Sequence, residues 1–270
     1  MGLLENKVVI ITGASSGLGA VLSEELARSG ANLSLFARRE EKLHETADRC
    51  RVLGAQVLTV SGDVTVAEDC KRLVDETVSK FGRLDYLVAN AGISMWAKFE
   101  DVSDLSLFRQ LMETNYLGVV HCVHPALPYL KKQRGMVVAI SSIQGKIGVP
   151  LHTGYVASKH AVLGFFEALR MELDGSGVDV LTVLPHWLRG TDLRQNAFGK
   201  DGATLGESSR RHSKESISLE NCSKAILKAM KKRKRELVIP WKLRTLPWLN
   251  LIHPKLVAWL VRGKVHEQDQ

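Results

Sequence analysis

Val8-Val9-Ile10-Ile11-Thr12-Gly13-Ala14-Ser15-Ser16-Gly17-Leu18-Gly19 is the stretch whose reading decides the fold. Its uninterrupted β-branched run suits a strand covered on both faces, as in a parallel sheet. The run passes directly into a glycine-rich turn, and apolar residues at helical spacing follow over Leu18–Ser29. Gly13, Gly17 and Gly19 divide the work a dinucleotide site requires: a tight turn, close approach of the backbone to a pyrophosphate, and packing of helix on strand. Ser15, Ser16, Gly17 and Leu18 then present free amides at the positive end of that helix, where a pyrophosphate is held. The spacing is G-x-x-x-G-x-G, and no Gly-Lys-Ser/Thr follows, which excludes a P-loop.

Working outward, similar apolar runs recur at Asn32–Ala37, Val57–Val60, Tyr86–Ala89, Met136–Ile140 and Val178–Leu184. Helical patterns separate them over Glu40–Gly54, Val66–Gly82 and Leu105–Leu130. Strands alternating with helices build right-handed βαβ units. The expected fold is therefore α/β: a single Rossmann-type, doubly wound parallel sheet of about seven strands in the order 3-2-1-4-5-6-7, with helices on both faces. No linker or repeat interrupts the chain before residue 190, so one domain is expected. Residues 1–240 form its dinucleotide-binding and catalytic part, with a substrate loop near 190–215, and 241–270 form a basic, Trp/Leu-rich extension. Gly199–Gly206 reads as a mobile loop or short lid, Asn221–Lys234 as a helix, and Glu236–Pro240 as a short strand.

Composition narrows the class. The 270 residues are 45% hydrophobic and 24% charged, which excludes a disordered, collagen-like or disulfide-dense chain. The formal net charge of +8 is concentrated: from Lys224 onward there are twelve basic and three acidic residues. A balanced body with a basic tail argues against a nucleic-acid partner and for a local role of the tail. Cys50, Cys70, Cys122 and Cys222 form no C-x-x-C pair, so no metal is expected and reduced thiols are the default. Cys122 and His124 read as packing residues. No leader pattern opens the sequence and no run reaches the roughly 18 apolar residues of a spanning helix, so the expected location is cytoplasmic, with membrane association left open through the tail.

The Thr12–Gly19 run resembles the cofactor motif of the short-chain dehydrogenase/reductase family, and further marks of that family follow in order over residues 5–190. Asp63-Val64 stands where the family contacts adenine. Asn90-Ala91-Gly92 stands where its sheet-stabilising motif closes the fourth strand. Asn115, Ser142 and Tyr155-x-x-x-Lys159 follow at family spacing. The resemblance implies a nicotinamide cofactor, a homodimer or homotetramer, a water held by Asn115 in a proton relay, and a hold by Lys159 on the nicotinamide ribose.

The cofactor's form is read from the second strand, which ends in Ala37-Arg38-Arg39. An acid at that position holds the ribose of NAD, whereas arginine accommodates the 2′-phosphate of NADP. Ala37 followed by Arg38 and Arg39 favours NADP(H) over NAD(H); the bland alternative is a solvated helix start.

Tyr155 and Lys159 share a helix face. A free phenol has a pKa of about 10, and a cation one turn away favours its ionised form, making Tyr155 an expected general acid/base. Ser142, at a strand end, can donate to the substrate oxygen. The reaction expected is hydride transfer between nicotinamide and a carbonyl or alcohol carbon. The alternative is a catalytically silent NADP(H)-sensing binding protein, which need not retain Asn115, Ser142, Tyr155 and Lys159.

The sequence departs from the family after the sixth strand. Where Pro-Gly is usual, Pro185-His186 stands here, and Thr191 falls one residue late for contact with the carboxamide. His186 reads either as a substrate-pocket residue or as a structural one. Ile93, Met95, Trp96, Phe99, Val149, Leu151, His152 and Trp187 are the other expected pocket residues, and their apolar character favours a lipophilic substrate. The tail, with Trp241, Trp248 and Trp259 amid leucines and lysines and interrupted by Pro247 and Pro254, suits a membrane interface, a cap over the pocket or a subunit contact.

Overall fold

A computed structural model describes residues 4–206 and 216–269. Among them, strands β1 (Val8–Thr12), β2 (Asn32–Ala37), β3 (Val57–Ser61), β4 (Tyr86–Ala89), β5 (Met136–Ile140), β6 (Asp179–Pro185) and β7 (Glu236–Ile239) form one parallel sheet, ordered β3-β2-β1-β4-β5-β6-β7. β1 is buried along its whole length, as are β5 and nearly all of β2 and β6. Complete burial is why their sequences run apolar without alternation.

Helices α1 (Gly17–Arg28), α2 (Glu40–Val52) and α7 (Leu219–Lys231) cover one face. In α1, Leu18, Leu22 and Leu26 recur every fourth residue and point into that core. The other face carries α3 (Ala67–Phe81), α5 (Gly118–Gln133) and α6 (Thr153–Glu172). There Cys122 is buried with its thiol 3.3 Å from Cys70, whereas His124 is exposed, so its expected packing role is not met.

The long helix expected over Leu105–Leu130 is three pieces: α4 (Ser106–Met112), a π-helical segment over Glu113–Leu117, and α5. A π segment inserts one extra residue per turn, which hydrophobic spacing cannot reveal. After β6, a two-residue strand pair joins Leu188–Arg189 to Ile217–Ser218, outside the main sheet. Gly199–Gly206 is held by backbone hydrogen bonds. Phe198 exchanges backbone bonds with Ser94 and Trp96, and the Leu205 and Gly206 amides bond back to Ala197 and Gln195. The rest of the expected substrate loop, 207–215, lies outside the described residues. The tail forms α8 (Leu246–Ile252) and α9 (Pro254–Asp269), split at the prolines noted in the sequence.

Candidate active site

The carboxyl ends of β1, β4, β5 and β6 open onto a cavity of about 470 Å³. This is the edge where parallel sheets place their ligands. β1 delivers Thr12 to its rim, and Gly13 (φ +66°) reverses the chain; a Cβ there would lie 2.9 Å from the Ala91 Cα. The Thr12 hydroxyl accepts the Asn90 and Ala91 amides, each at 3.0 Å. The Asn90 side chain donates to the carbonyls of Thr12 (2.9 Å) and Gly13 (3.3 Å), tying the turn to the end of β4. Thr12 was not singled out in the sequence, although its place between strand and glycine was a usable signal.

Gly13, Ser15, Ser16, Gly17 and Leu18 line the cavity. Gly19 does not. A Cβ on it would fall 2.2 Å from the Gly13 carbonyl oxygen, so it lies beneath the turn and serves close packing of α1. The first turn of α1 contains no acidic residue, which leaves the helix's positive end available to an anion. A dinucleotide pyrophosphate fits this arrangement: turn amides, a helix N-terminus and glycines whose side chains would close the space.

At one end of the cavity stand Arg38, Arg39, Asp63 and Val64. The Arg38 guanidinium is 3.6 Å from the Asp63 carboxylate, and Arg39 donates to the Ser16 hydroxyl at 2.7 Å. Both arginines remain largely exposed, so their charge is accessible from the cavity. Val64 is fixed by the His121 ring, 3.0 Å from its carbonyl oxygen, and by Gly118, whose missing Cβ admits the Val64 side chain. Neither His121 nor Gly118 was found in the sequence; a π segment just before α5 sets their orientation.

Asn90, Ala91, Gly92, Ser142, Tyr155, Lys159, Pro185 and Thr191 line the middle of the cavity. Tyr155 and Lys159 lie one turn apart on the buried face of α6. The Lys159 ammonium donates to the Ile140 carbonyl at 3.0 Å and stands 5.5 Å from the centre of the Tyr155 ring. The Ser142 hydroxyl, close enough to the Tyr155 phenol to favour its ionised form, donates to the Pro185 carbonyl at 3.4 Å and accepts the Gln144 amide at 3.2 Å. The expected direction of the phenol's shift is corrected here. Burial pushes Tyr155 up to about 12, and the Ser142 contact offsets only part of it. Burial also lowers Lys159 to about 8. In this geometry, desolvation outweighs the attraction of an ammonium one turn away.

Asn115 does not face the cavity. It is fully buried in the π segment, with its oxygen accepting the Ile93 amide (2.8 Å) and its nitrogen donating to the Ile93 carbonyl and the Ser158 hydroxyl (both 2.9 Å). Both amide protons are thus committed to protein, and the side chain clamps the post-β4 loop onto α6. A Cβ on Gly92 would sit 3.1 Å from the Asn115 oxygen and 3.6 Å from the Lys159 nitrogen, so Gly92 packs beside both the clamp and the lysine.

At the opposite end, Ile93, Met95, Trp96, His152, His186 and Trp187 line the cavity, joined by Phe198 and Arg194. Arg194 and Phe198 were missed because they come from the loosely patterned stretch after β6. The Arg194 guanidinium lies 5.2 Å from the centre of the Trp96 ring. Leu151 is corrected: it lies outside the cavity, in a left-handed turn (φ +66°), packed in the cluster below and accepting the Ala97 amide. Val149 belongs to the same cluster, and Phe99 is exposed against Phe108. His186 takes the glycine position without a positive φ. Its amide donates to Ile239 at 2.8 Å and its ring stacks on Trp187. Thr191 sits against the turn: a Cβ on Gly17 would be 3.8 Å from it. Among the described residues, no group of three His, Cys, Asp or Glu side chains is placed to hold a metal ion.

Residues 7–202 match the family model for short chain dehydrogenases. The chain is 41% identical over 258 residues to 11-beta-hydroxysteroid dehydrogenase-like 4A of Arabidopsis thaliana, covering 94% of this chain and 83% of that protein. It is 36% identical over 262 residues to dehydrogenase/reductase SDR family protein 7-like of Dictyostelium discoideum, covering 95% and 81%. Among solved structures, an alcohol dehydrogenase of the archaeon Thermococcus sibiricus, complexed with 5-hydroxy-NADP, superposes with a TM-score of 0.73 at 26% identity over 86% of this chain and 95% of that one. With the family model matched over most of its length, and the strand order and glycine turn described above, the chain belongs to the short-chain dehydrogenase/reductase family and is an oxidoreductase of that family.

Proposed function

We propose that this protein interconverts a carbonyl and a secondary or primary alcohol on a lipophilic, steroid-, retinoid- or lipid-like substrate, using NADP(H) in preference to NAD(H). The observation that carries this reading is the convergence of Tyr155, Ser142 and Lys159 on the cavity that the glycine turn opens. A bound reduced nicotinamide supplies the hydride that reaches the carbonyl carbon. The Ser142 hydroxyl donates to the carbonyl oxygen and holds the charge that develops there. Tyr155, kept protonated by burial, passes its phenolic proton to that oxygen, which completes the alcohol. Lys159 then faces the tyrosinate left behind, which takes up one proton from solvent and returns to the neutral phenol. A phenol that retains its proton is the form that reduction needs near neutrality.

Arg38 and Arg39, with Ser16 between them and the turn, support the 2′-phosphate of NADP, and the bound 5-hydroxy-NADP of the archaeal relative supports the same choice. Met95, Trp96, Trp187 and Phe198, together with the hydroxysteroid names of the plant relatives, support an apolar substrate. The test is consumption of NADPH and NADH with a panel of ketones and aldehydes graded in hydrophobicity. Faster NADPH oxidation on the more apolar carbonyls is expected, with the preference for NADPH lost in Arg38→Ala/Arg39→Ala. Equal use of NADH by the unaltered protein would contradict the cofactor assignment. Tight NADPH binding without turnover on any carbonyl would favour a sensing protein.

A further inference from the structure

The tail has two faces with opposite chemistry. Inward, Val257 and Val265 of α9 are buried, and Val261 between them packs in the same apolar cluster as Leu243 and Leu246. That cluster also contains Trp96 and Trp187, which line the substrate end of the cavity. The inner face of the tail therefore forms the outer layer of the substrate wall. Outward, Trp241, Trp248, Leu251, Ile252, Leu256, Trp259 and Leu260 are exposed, with Trp241, Trp248, Leu251, Ile252 and Trp259 each more than two-thirds accessible. Exposed apolar side chains this concentrated mark a docking surface. Among the described residues, no helix is long and apolar enough to cross a membrane.

Charge identifies the occupant. Lys242, Arg244, Lys255 and Arg262 are exposed around these side chains, and no acidic residue occurs between Trp241 and Lys264. Arg244 also borders a second cleft, of about 560 Å³, where Lys146, Arg170, Lys234 and Arg235 outnumber Glu167 and Glu236. Tryptophans beside leucines, fringed by lysine and arginine, suit the boundary between lipid headgroups and acyl chains, with anionic lipid as the charge partner. A second copy of this chain would bring like charges together across the same face.

We propose that α8 and α9 dock the protein on an anionic bilayer surface without spanning it, setting the substrate end of the cavity beside the lipid so that an apolar carbonyl reaches it from the bilayer. This rests on the lipophilic-substrate reading above and adds the route by which such a substrate arrives.

The test uses the full chain with phosphatidylcholine vesicles, with and without phosphatidylserine, and a Trp248→Glu/Trp259→Glu variant that leaves the inner face intact. Co-sedimentation with phosphatidylserine vesicles at low salt is expected, weakened by high salt and reduced about tenfold or more in the variant. NADPH-dependent turnover of a water-soluble aldehyde is expected to be equal in both proteins, whereas turnover of a vesicle-dissolved ketone falls only in the variant. Turnover of the soluble aldehyde without vesicle binding would overturn docking while leaving the enzymatic reading intact. Vesicle binding without turnover of any carbonyl would overturn the enzymatic reading and leave docking alone. Wild type that fails to bind vesicles but is dimeric by light scattering, with a monomeric variant, would reassign the face to a subunit contact.

Discussion

Lys159 shows what a buried ammonium costs a fold. Burial lowers its pKa to about 8 from an ordinary 10.5, so at neutral pH the folded protein holds an ammonium in a poorly solvated place. Between those values the unfolded chain binds the proton and the folded one does not, so stability rises with pH through that window. Lys159→Met is therefore expected to abolish turnover while stabilising the protein below pH 8, by up to about 3 kcal/mol less the lost bond to Ile140. That gain should shrink as pH approaches 10.5, which urea titrations across pH would follow. The identities of Tyr155, Lys159 and Ser142 were legible in the sequence because they follow the glycine turn at the spacing of the family that the chain resembles. Their ionisation was not, since the side chains that exclude water come from segments far apart in the chain.

Elements show the same division. β1, the glycine turn and α1 could be read because each residue's task is local: β-branched packing, a backbone reversal, a helix start. Gly19 demonstrates how tight that turn is. Gly19→Ala would force a methyl group to 2.2 Å from the Gly13 oxygen and 2.7 Å from the Asn90 nitrogen, with little freedom in either. A stability loss of about 1–3 kcal/mol or more is expected, with a matching loss of NADPH affinity, measured by thermal melting with and without nucleotide. The π segment was not legible, because an inserted residue leaves a periodic pattern looking continuous. It is the reason Asn115 reaches the Ile93 backbone and Ser158. Asn115→Ala would strand those buried partners, at a cost of about 1–3 kcal/mol for each left unsatisfied. A lowered melting temperature should accompany lower kcat, because the clamp sets the position of α6.

Across the whole molecule, stability and chemistry occupy opposite edges of the sheet. At the amino ends of the strands, Asp85 is buried and accepts from the Val8 amide, Lys7 and both arms of Arg83, while its own carbonyl takes the Met136 amide. Burial alone would raise its pKa, but Arg83, the Val8 amide and Lys7 outweigh it and hold the carboxyl below its ordinary value. Its stabilisation is present above the unfolded pKa and is lost as pH falls through the lower folded one. Lys7 and Arg83 reach solvent once freed and the buried Val8 amide is left unpaired, so Asp85→Ala should cost about 1–3 kcal/mol in urea unfolding. It should leave kcat unchanged where the protein remains folded, because the cavity lies at the other end of the strands. The parallel sheet was readable from alternating strands and helices, and its order from the resemblance of the glycine turn and the motifs after it, whereas the division of the tail into an inner and an outer face was not legible, since it depends on which valines meet Trp96 and Trp187. The central claim is that a neutral, buried Tyr155 supplies the proton for reduction of an apolar carbonyl. Its most direct measurement is steady-state NADPH oxidation by Tyr155→Phe beside the unaltered protein, with NADPH affinity measured for both. The expected result is a loss of about 10²–10⁴ in kcat at unchanged NADPH Kd; a variant that keeps both its affinity and its turnover would contradict the account.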